Sequence, residues 1–268
     1  MRYKKITSLS NPLIKEALKE KRSRLLNTLT IEGNRLLEMA LASGADVGRV
    51  FFTESYRSKN EDFFRQVAKH ATELIETTEQ IITRLSDTET PQGIAVIVSY
   101  KPHEFQELSL ASIPLIAVSD GIQDPGNLGT LIRTVDAAGA DALIMLPGTC
   151  DPFTPKAVRA TAGSVFNIPV LFAEPEQLVG WLREKSISLA VSDVHASKTI
   201  YDADLRKPLA FIFGNEAAGV SDYLKRKSDM RVSIPIPGKA ESLNVVASAA
   251  ICLFEAVRQR RGRPQSAG

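Results

Sequence analysis

The chain has 268 residues, 44% of them hydrophobic and 24% charged, with a formal net charge of +2. The length exceeds one typical domain and suits two, and the composition is that of a globular chain rather than a disordered or fibrous one. No apolar run approaches the roughly 20 residues that span a bilayer, the N-terminus lacks the apolar core of a secretory signal, and two distant cysteines, Cys150 and Cys252, do not make a disulfide scaffold; the expected location is the cytoplasm, without a membrane.

The charge is uneven. Residues 1–24 carry eight Lys or Arg against two Glu, residues 256–268 carry four Arg and no acid, and the body between is net −8. Basic ends on an acidic body fit a surface that meets a polyanion, nucleic acid being the common case. A solvated helix face explains the same charges.

In chain order, Ser10-Asn11-Pro12 reads as a helix entry, with Leu13, Ile14, Ala17, Leu18 and Leu25 on one face. Leu29–Ile31 reads as a strand, Gly33–Ala42 as a helix, Val50–Thr53 as a strand, Glu61–His70 as a helix, Glu73–Thr77 as a strand, Glu79–Leu85 as a short helix and Ile94–Val98 as a strand. This alternation predicts a small α/β domain over residues 1–100. Residues 101–112 lack a period and read as a linker.

From 113 to 268 the strands are apolar throughout: Pro114–Val118, Ala142–Leu146, Ile168–Phe172, Ile187–Val191 and Leu209–Phe213. Helices are expected at Leu128–Ala138, Thr154–Thr161, Pro175–Lys185 and from about Asn244, where Val246, Ala249, Ala250, Leu253, Phe254 and Val257 form an amphipathic stripe. Unalternating strands predict a parallel sheet covered by helices on both faces, and such sheets bind ligands outside the carboxyl ends of their strands.

Three loops are expected to follow strand ends: Asp120–Gly129, Gly214–Ser221, and Gly238–Asn244 after an extended Ile234-Pro-Ile-Pro237. The glycines of the first loop match neither dinucleotide fingerprint. Asn127 stands where a helix cap is expected and serves as cap, site residue or both. Arg133, with apolar neighbours, reads as a side chain leaning back toward the loop or as a surface ion pair. Gly214 permits a close backbone approach. Glu216 organises the loops, pairs with an Arg, or faces a helix dipole. Ser242 and Asn244 are short polar groups that position a hydroxyl or cap the last helix. His70, His103 and His195 are scattered, as are the cysteines, so a zinc site, a Cys–His nucleophile or a Ser–His–Asp triad is not expected.

Asn127-Leu-Gly-Thr-Leu-Ile-Arg133-Thr, Phe213-Gly-Asn-Glu216-Ala-Ala-Gly219 and Ile234-Pro-Ile-Pro-Gly-Lys-Ala-Glu-Ser242-Leu-Asn244 resemble, in order, the three motifs of the SpoU/TrmH family of RNA ribose 2′-O-methyltransferases. Residues 1–100 resemble the family's accessory RNA-binding domain, similar to ribosomal proteins of the L30e type. The resemblance implies an α/β fold with a C-terminal trefoil knot (the SPOUT fold), S-adenosylmethionine as cofactor and no metal. It also implies a homodimer with its site near the subunit interface, and RNA as partner, 23S ribosomal RNA being the expected substrate. It assigns catalysis to Asn127, Arg133, Glu216, Ser242 and Asn244, and cofactor binding to backbone groups at Gly214, Ile234 and Leu243. Asn215 departs from a common Ser or Ala, Pro237 from a frequent Met, and Val246 from a frequent Ser. A tRNA ribose methyltransferase and a non-catalytic RNA-binding protein on the same fold are the alternatives.

Overall fold

The computed structural model describes residues 2–20, 28–86, 88, 90–100 and 103–261. Its elements in chain order are β1 (Lys4–Lys5), α1 (Pro12–Glu20), β2 (Thr28–Glu32), α2 (Asn34–Ala42), β3 (Val47–Phe52), α3 (Glu54–Lys59), α4 (Glu61–His70), β4 (Glu73–Glu76), α5 (Glu79–Leu85) and β5 (Ile94–Ser99). There follow β6 (Leu115–Asp120), α6 (Pro125–Ala137), β7 (Ala142–Met145), α7 (Pro155–Thr161), β8 (Val170–Phe172), α8 (Pro175–Glu184), β9 (Ser188–Ser192), β10 (Leu209–Gly214), α9 (Asp222–Lys227), β11 (Met230–Val232) and α10 (Val245–Arg261). The chain divides into two compact units, 1–101 with 153–167, and 102–152 with 168–268.

The first unit holds a five-stranded mixed sheet in the order β1-β4-β3-β5-β2. Strands β1, β4 and β3 run parallel, and β5 is antiparallel to both β3 and β2. Period-two alternation sorts its side chains onto two faces. Val50, Phe52, Ile94, Val96 and Val98 join Leu36 and Leu37 of α2 and Phe64 and Val67 of α4. The intervening Phe51, Ala95 and Ile97 join Ile14 and Ala17 of α1 and Ile81, Ile82 and Leu85 of α5. Each of the Val, Leu, Ile and Phe side chains among them contributes about 1.5–3 kcal/mol of burial. Leu25, placed by periodicity on the first helix, lies outside the described residues. Helix α3, absent from the sequence reading, starts because the Thr53 hydroxyl accepts the Tyr56 N–H at 3.2 Å; its sequence ESYRSK carries no apolar period that would announce it.

The second unit holds a six-stranded sheet in the order β11-β9-β10-β6-β7-β8, parallel throughout, as the unalternating strands predict. On one face Ile116, Val118, Ile144, Val191 and Ile212 pack with Leu178 and Leu182 of α8 and Leu224 of α9. On the other, α10 packs against β10 and α6, burying Val246, Ala249, Cys252, Leu253 and Ala256. The segment read as a linker, 101–112, is part of this core from Phe105 onward: Phe105, Leu108 and Leu110 pack against it, with the Phe105 ring 4.6 Å from that of Trp181. Its apolar residues are too few to form a period, so only the tertiary contact reveals them.

Residues 153–167, read as part of the second domain, belong to the first unit. Val158 of α7 is buried in that unit's core, and Phe153 and Phe166 pack beside it. The last strand also lies earlier than expected. Met230–Val232 pairs with β9, and Ile234–Pro237 forms no ladder, because Pro235 and Pro237 have no N–H to donate.

The end of α10 is pinned by Arg260. Its guanidinium donates to the carbonyl oxygens of Leu205 (3.1 Å), Ile113 (2.9 Å), Pro114 (3.1 Å) and Lys207 (2.8 Å). Beside it, Gln259 donates to the Ala203 carbonyl and accepts the Leu205 N–H. Arg258 pairs with Glu255 at 2.7 Å, and Arg263 lies outside the described residues. Arg260→Ala strips a charged donor from four carbonyls and is expected to lower unfolding free energy by about 2 kcal/mol in urea denaturation. A loss below about 0.5 kcal/mol, the ordinary range for a surface change, would show that the clamp contributes nothing.

Candidate active site

Adjacent parallel strands bring the loops together. Gly214 at the end of β10 is paired with Asp120 at the end of β6, so the loops that follow leave the sheet side by side. The third loop, leading into α10, reaches them because α10 packs on both β10 and α6.

Asn127 is not the helix cap. Asp124 caps α6, its Oδ1 accepting the Asn127 N–H at 2.9 Å, and Pro125 takes the first helical position, where its missing donor costs nothing. The Asn127 side chain is thereby released to face the neighbouring loops. Its Nδ2 donates to Glu216 Oε1 at 2.9 Å, and its Oδ1 accepts Asn244 Nδ2 at 3.1 Å. Glu216 also accepts the backbone N–H groups of Gln123 at 3.3 Å and Asp124 at 3.5 Å. Asn244 in turn caps α10, its Oδ1 accepting the Val246 N–H at 2.9 Å. One chain of polar contacts therefore ties all three loops. Partial burial pushes the Glu216 carboxyl up, but the Asn127 amide and the backbone donors outweigh it and hold the carboxyl below its ordinary range.

The second loop folds back tightly on its strand. A side chain at Gly214 would meet the Gly219 carbonyl carbon and the Val220 nitrogen at 2.2 Å, so only glycine fits. Asn215 holds the bend: its Oδ1 accepts the N–H groups of Ala217 and Ala218, both at 2.9 Å, and its Nδ2 donates to the Gly121 carbonyl at 2.8 Å. The departure at Asn215 thus adds a tie between the first and second loops.

Beside the network opens a cleft of about 460 Å³. Gly214, Glu216, Ser242, Leu243 and Asn244 line it; Ile234 is partly buried and is not among its lining residues. Ser242 makes no hydrogen bond among the described residues, so its hydroxyl is available to a ligand. Arg133 is exposed on α6 and makes no ion pair or hydrogen bond among the described residues. Six residues beyond Asn127, it lies about 9 Å along the helix and about 120° around it. No hydrogen bond or ion pair among the described residues joins it to the Asn127–Glu216 pair.

The cleft has a fourth wall that the sequence reading passed over. Asp193, Val194 and His195, after β9, and Lys225 on α9 line it. The signal was present, since Ser192-Asp-Val-His195 follows an apolar strand as the other loops do. Asp193 accepts the His195 N–H at 2.9 Å and is held by the Arg231 guanidinium. Burial pushes the Cys150 thiol up to about 11, with the charges of Asp124 and Glu216 adding to it, and pushes Cys252 up to about 12. Neither is a thiolate near neutral pH. Among the described residues no cluster of three His, Cys, Asp or Glu is placed to hold a metal ion, and no helix is long and apolar enough to cross a membrane.

Residues 114–254 match the SpoU rRNA Methylase family, and residues 11–96 match the MRM3-like substrate binding domain. The chain is 34% identical over 254 residues to the 23S rRNA (guanosine(2553)-2′-O)-methyltransferase RlmP of Bacillus subtilis, covering 94% of this chain and 98% of that protein. Among solved structures, the AdoMet-bound rRNA methyltransferase from Sinorhizobium meliloti superposes with a TM-score of 0.86 at 31% identity, covering 96% of this chain and 98% of that one. The SpoU methyltransferase AviRb from Streptomyces viridochromogenes, in complex with AdoMet, gives 0.87 at 26% identity, covering 95% of this chain and 100% of that one.

Proposed function

The chain belongs to the SpoU rRNA methylase family, and on that premise we propose that it transfers a methyl group from S-adenosylmethionine to a ribose 2′-hydroxyl of 23S ribosomal RNA. The observation that carries this reading is the bridge from Asn244 through Asn127 to Glu216 at the mouth of the cleft. The match of residues 11–96 to a substrate-binding domain supports RNA as the partner, and the cytoplasm is where such RNA is met.

The cleft suits the donor. Its volume lies within the usual range for small ligands, the bare backbone at Gly214 allows close approach, and the exposed side chains of Val194 and Leu243 offer apolar surface to a flat base. Bound there, S-adenosylmethionine supplies an electrophilic methyl on a positively charged sulfur. The protein contributes position and electrostatics. Ser242 presents a free hydroxyl to the ribose. Asn244, held by Asn127, fixes the loop that carries Ser242. Glu216 keeps the first two loops in register through its backbone donors. Arg133 supplies a guanidinium that stabilises the negative charge developing on the 2′-oxygen as the hydroxyl proton passes to solvent; the new oxygen–methyl bond replaces the donor's sulfur–methyl bond, and the sulfur would leave as a neutral thioether. Its freedom from ion pairs leaves it available to RNA.

The working unit is a homodimer. Helix α10 is apolar on a second face: Ala247, Ile251 and Phe254 share it, with Ala250 and Val257 at its margin, and Phe254 is 46% exposed. A helix hydrophobic on both sides needs a second partner, and another copy of this chain supplies one. The trefoil knot belongs to the same reading, and tracing residues 188–261 through an experimental density map tests the threading.

Labelled S-adenosylmethionine and ribosomal RNA test the activity. The wild type is expected to label the RNA at a ribose 2′-oxygen, and Arg133→Ala to lose at least about a hundredfold in rate while still binding the donor in calorimetry. A near-normal rate in the variant removes Arg133 from the mechanism; labelling of tRNA alone moves the substrate to that class. Phe254→Glu is expected to give a monomer in sedimentation equilibrium, and a dimer that persists would place the interface elsewhere.

A further inference from the structure

Among the described residues, four titratable side chains line the cleft: Asp193, His195, Glu216 and Lys225. Two of them are acids already engaged. Asp193 is held by the Arg231 guanidinium and the His195 N–H, and Glu216 by Asn127 and two backbone N–H groups. Among the described residues, Lys225 is the one lysine or arginine in the lining. It is partly buried, on a helix that packs against β9, and its ammonium makes no ion pair or hydrogen bond among the described residues. The charge of Asp193 acts on it from nearby, but that carboxylate is already bound by Arg231, so the ammonium keeps donors for a ligand.

On the reading that this cleft holds S-adenosylmethionine, we propose that Lys225 is the residue that grips the α-carboxylate of its methionine tail. The carboxylate is the donor's one anionic group. The carboxylates of the lining repel it and Val194 and Leu243 are apolar; Ser242 and His195 can add hydrogen bonds, but Lys225 brings the full countercharge. An RNA phosphate is the competing anion, but the lysine lines a cleft sized for one small molecule. Lys225 therefore sets the orientation of the tail, and with it the direction in which the sulfonium faces. It is a positioning residue for the donor, recognising an amino-acid carboxylate on a nucleoside.

Calorimetry on the full-length protein without RNA tests this, with S-adenosylmethionine and its decarboxylated analogue as probes. The wild type is expected to bind the intact donor at least about tenfold more tightly than the analogue, the ordinary scale of a charge-assisted contact. Lys225→Met, which keeps the aliphatic stem, is expected to reduce donor affinity by the same factor and leave the analogue unchanged, closing the gap; Lys225→Arg is expected to restore most of it. A Lys225→Met protein that keeps the full gap overturns the proposal, because the carboxylate is then held elsewhere. Unchanged donor binding with weakened ribosomal RNA binding overturns it too and hands the lysine to a phosphate. A wild type that binds neither probe sinks the methyl-donor reading itself, a result distinct from either of these.

Discussion

One carboxamide holds the site together. Asn127 donates from its nitrogen to Glu216 and accepts on its oxygen from Asn244, and among short side chains only an amide offers both polarities in opposite directions. An aspartate there would set a second negative charge against Glu216, and an alanine would leave Glu216 with its backbone donors alone and the Asn244 amide nitrogen without this acceptor. The bridge is available only because Asp124 has taken over the capping of α6, and it reaches Glu216 only because Gly214 and Asp120 end adjacent strands in register. The cleft wall formed by the second loop depends in turn on Gly214, whose missing side chain lets residues 219 and 220 close over it.

Helix α10 extends the same constraint through the second unit. Its first residue is preceded by the Asn244 cap, its middle is buried against β10 and α6, and its last turn is fastened to four carbonyls by Arg260. The basic C-terminus, which the charge distribution linked to RNA, is in this part a structural clamp. Arg258 is spent on Glu255 in a side-chain pair at the surface, where such pairs contribute little. Arg133 makes no ion pair or hydrogen bond among the described residues, and this is the physical reason the proposal gives it, ahead of Arg258 and Arg260, to the RNA.

Much of this was legible in residues. The parallel sheet follows from strands such as Leu209–Phe213 that are apolar at every position, and the three loops follow from the sheet. Asn127, Glu216 and Asn244 were singled out, and they touch. What the sequence misplaced depends on tertiary contact or on local competition. Asp124 and Asn127 are both good caps, and Pro125 decides between them. Strand β11 is three residues with a charged centre, Arg231, and exists only because β9 is beside it. Residues 153–167 look like a continuation of the second half until Val158, Phe153 and Phe166 are seen in the first unit's core. A deletion of residues 1–100 would therefore expose that segment as well as remove the first domain, so it does not cleanly separate the two halves. Lys225 and His195 were passed over because neither stands in a motif with a spacing of its own; only the cleft brings them together.

On the reading proposed above, Asn127 works by joining Glu216 to Asn244 as a single unit. A double-mutant cycle on S-adenosylmethionine affinity, measured by calorimetry for Asn127→Ala, Glu216→Ala and the pair, tests it most directly. Each single variant is expected to weaken binding, and the double variant to be hardly worse than the weaker single, a coupling of about 1 kcal/mol or more. Losses that add within about 0.3–0.5 kcal/mol, or singles that bind as the wild type does, would contradict it.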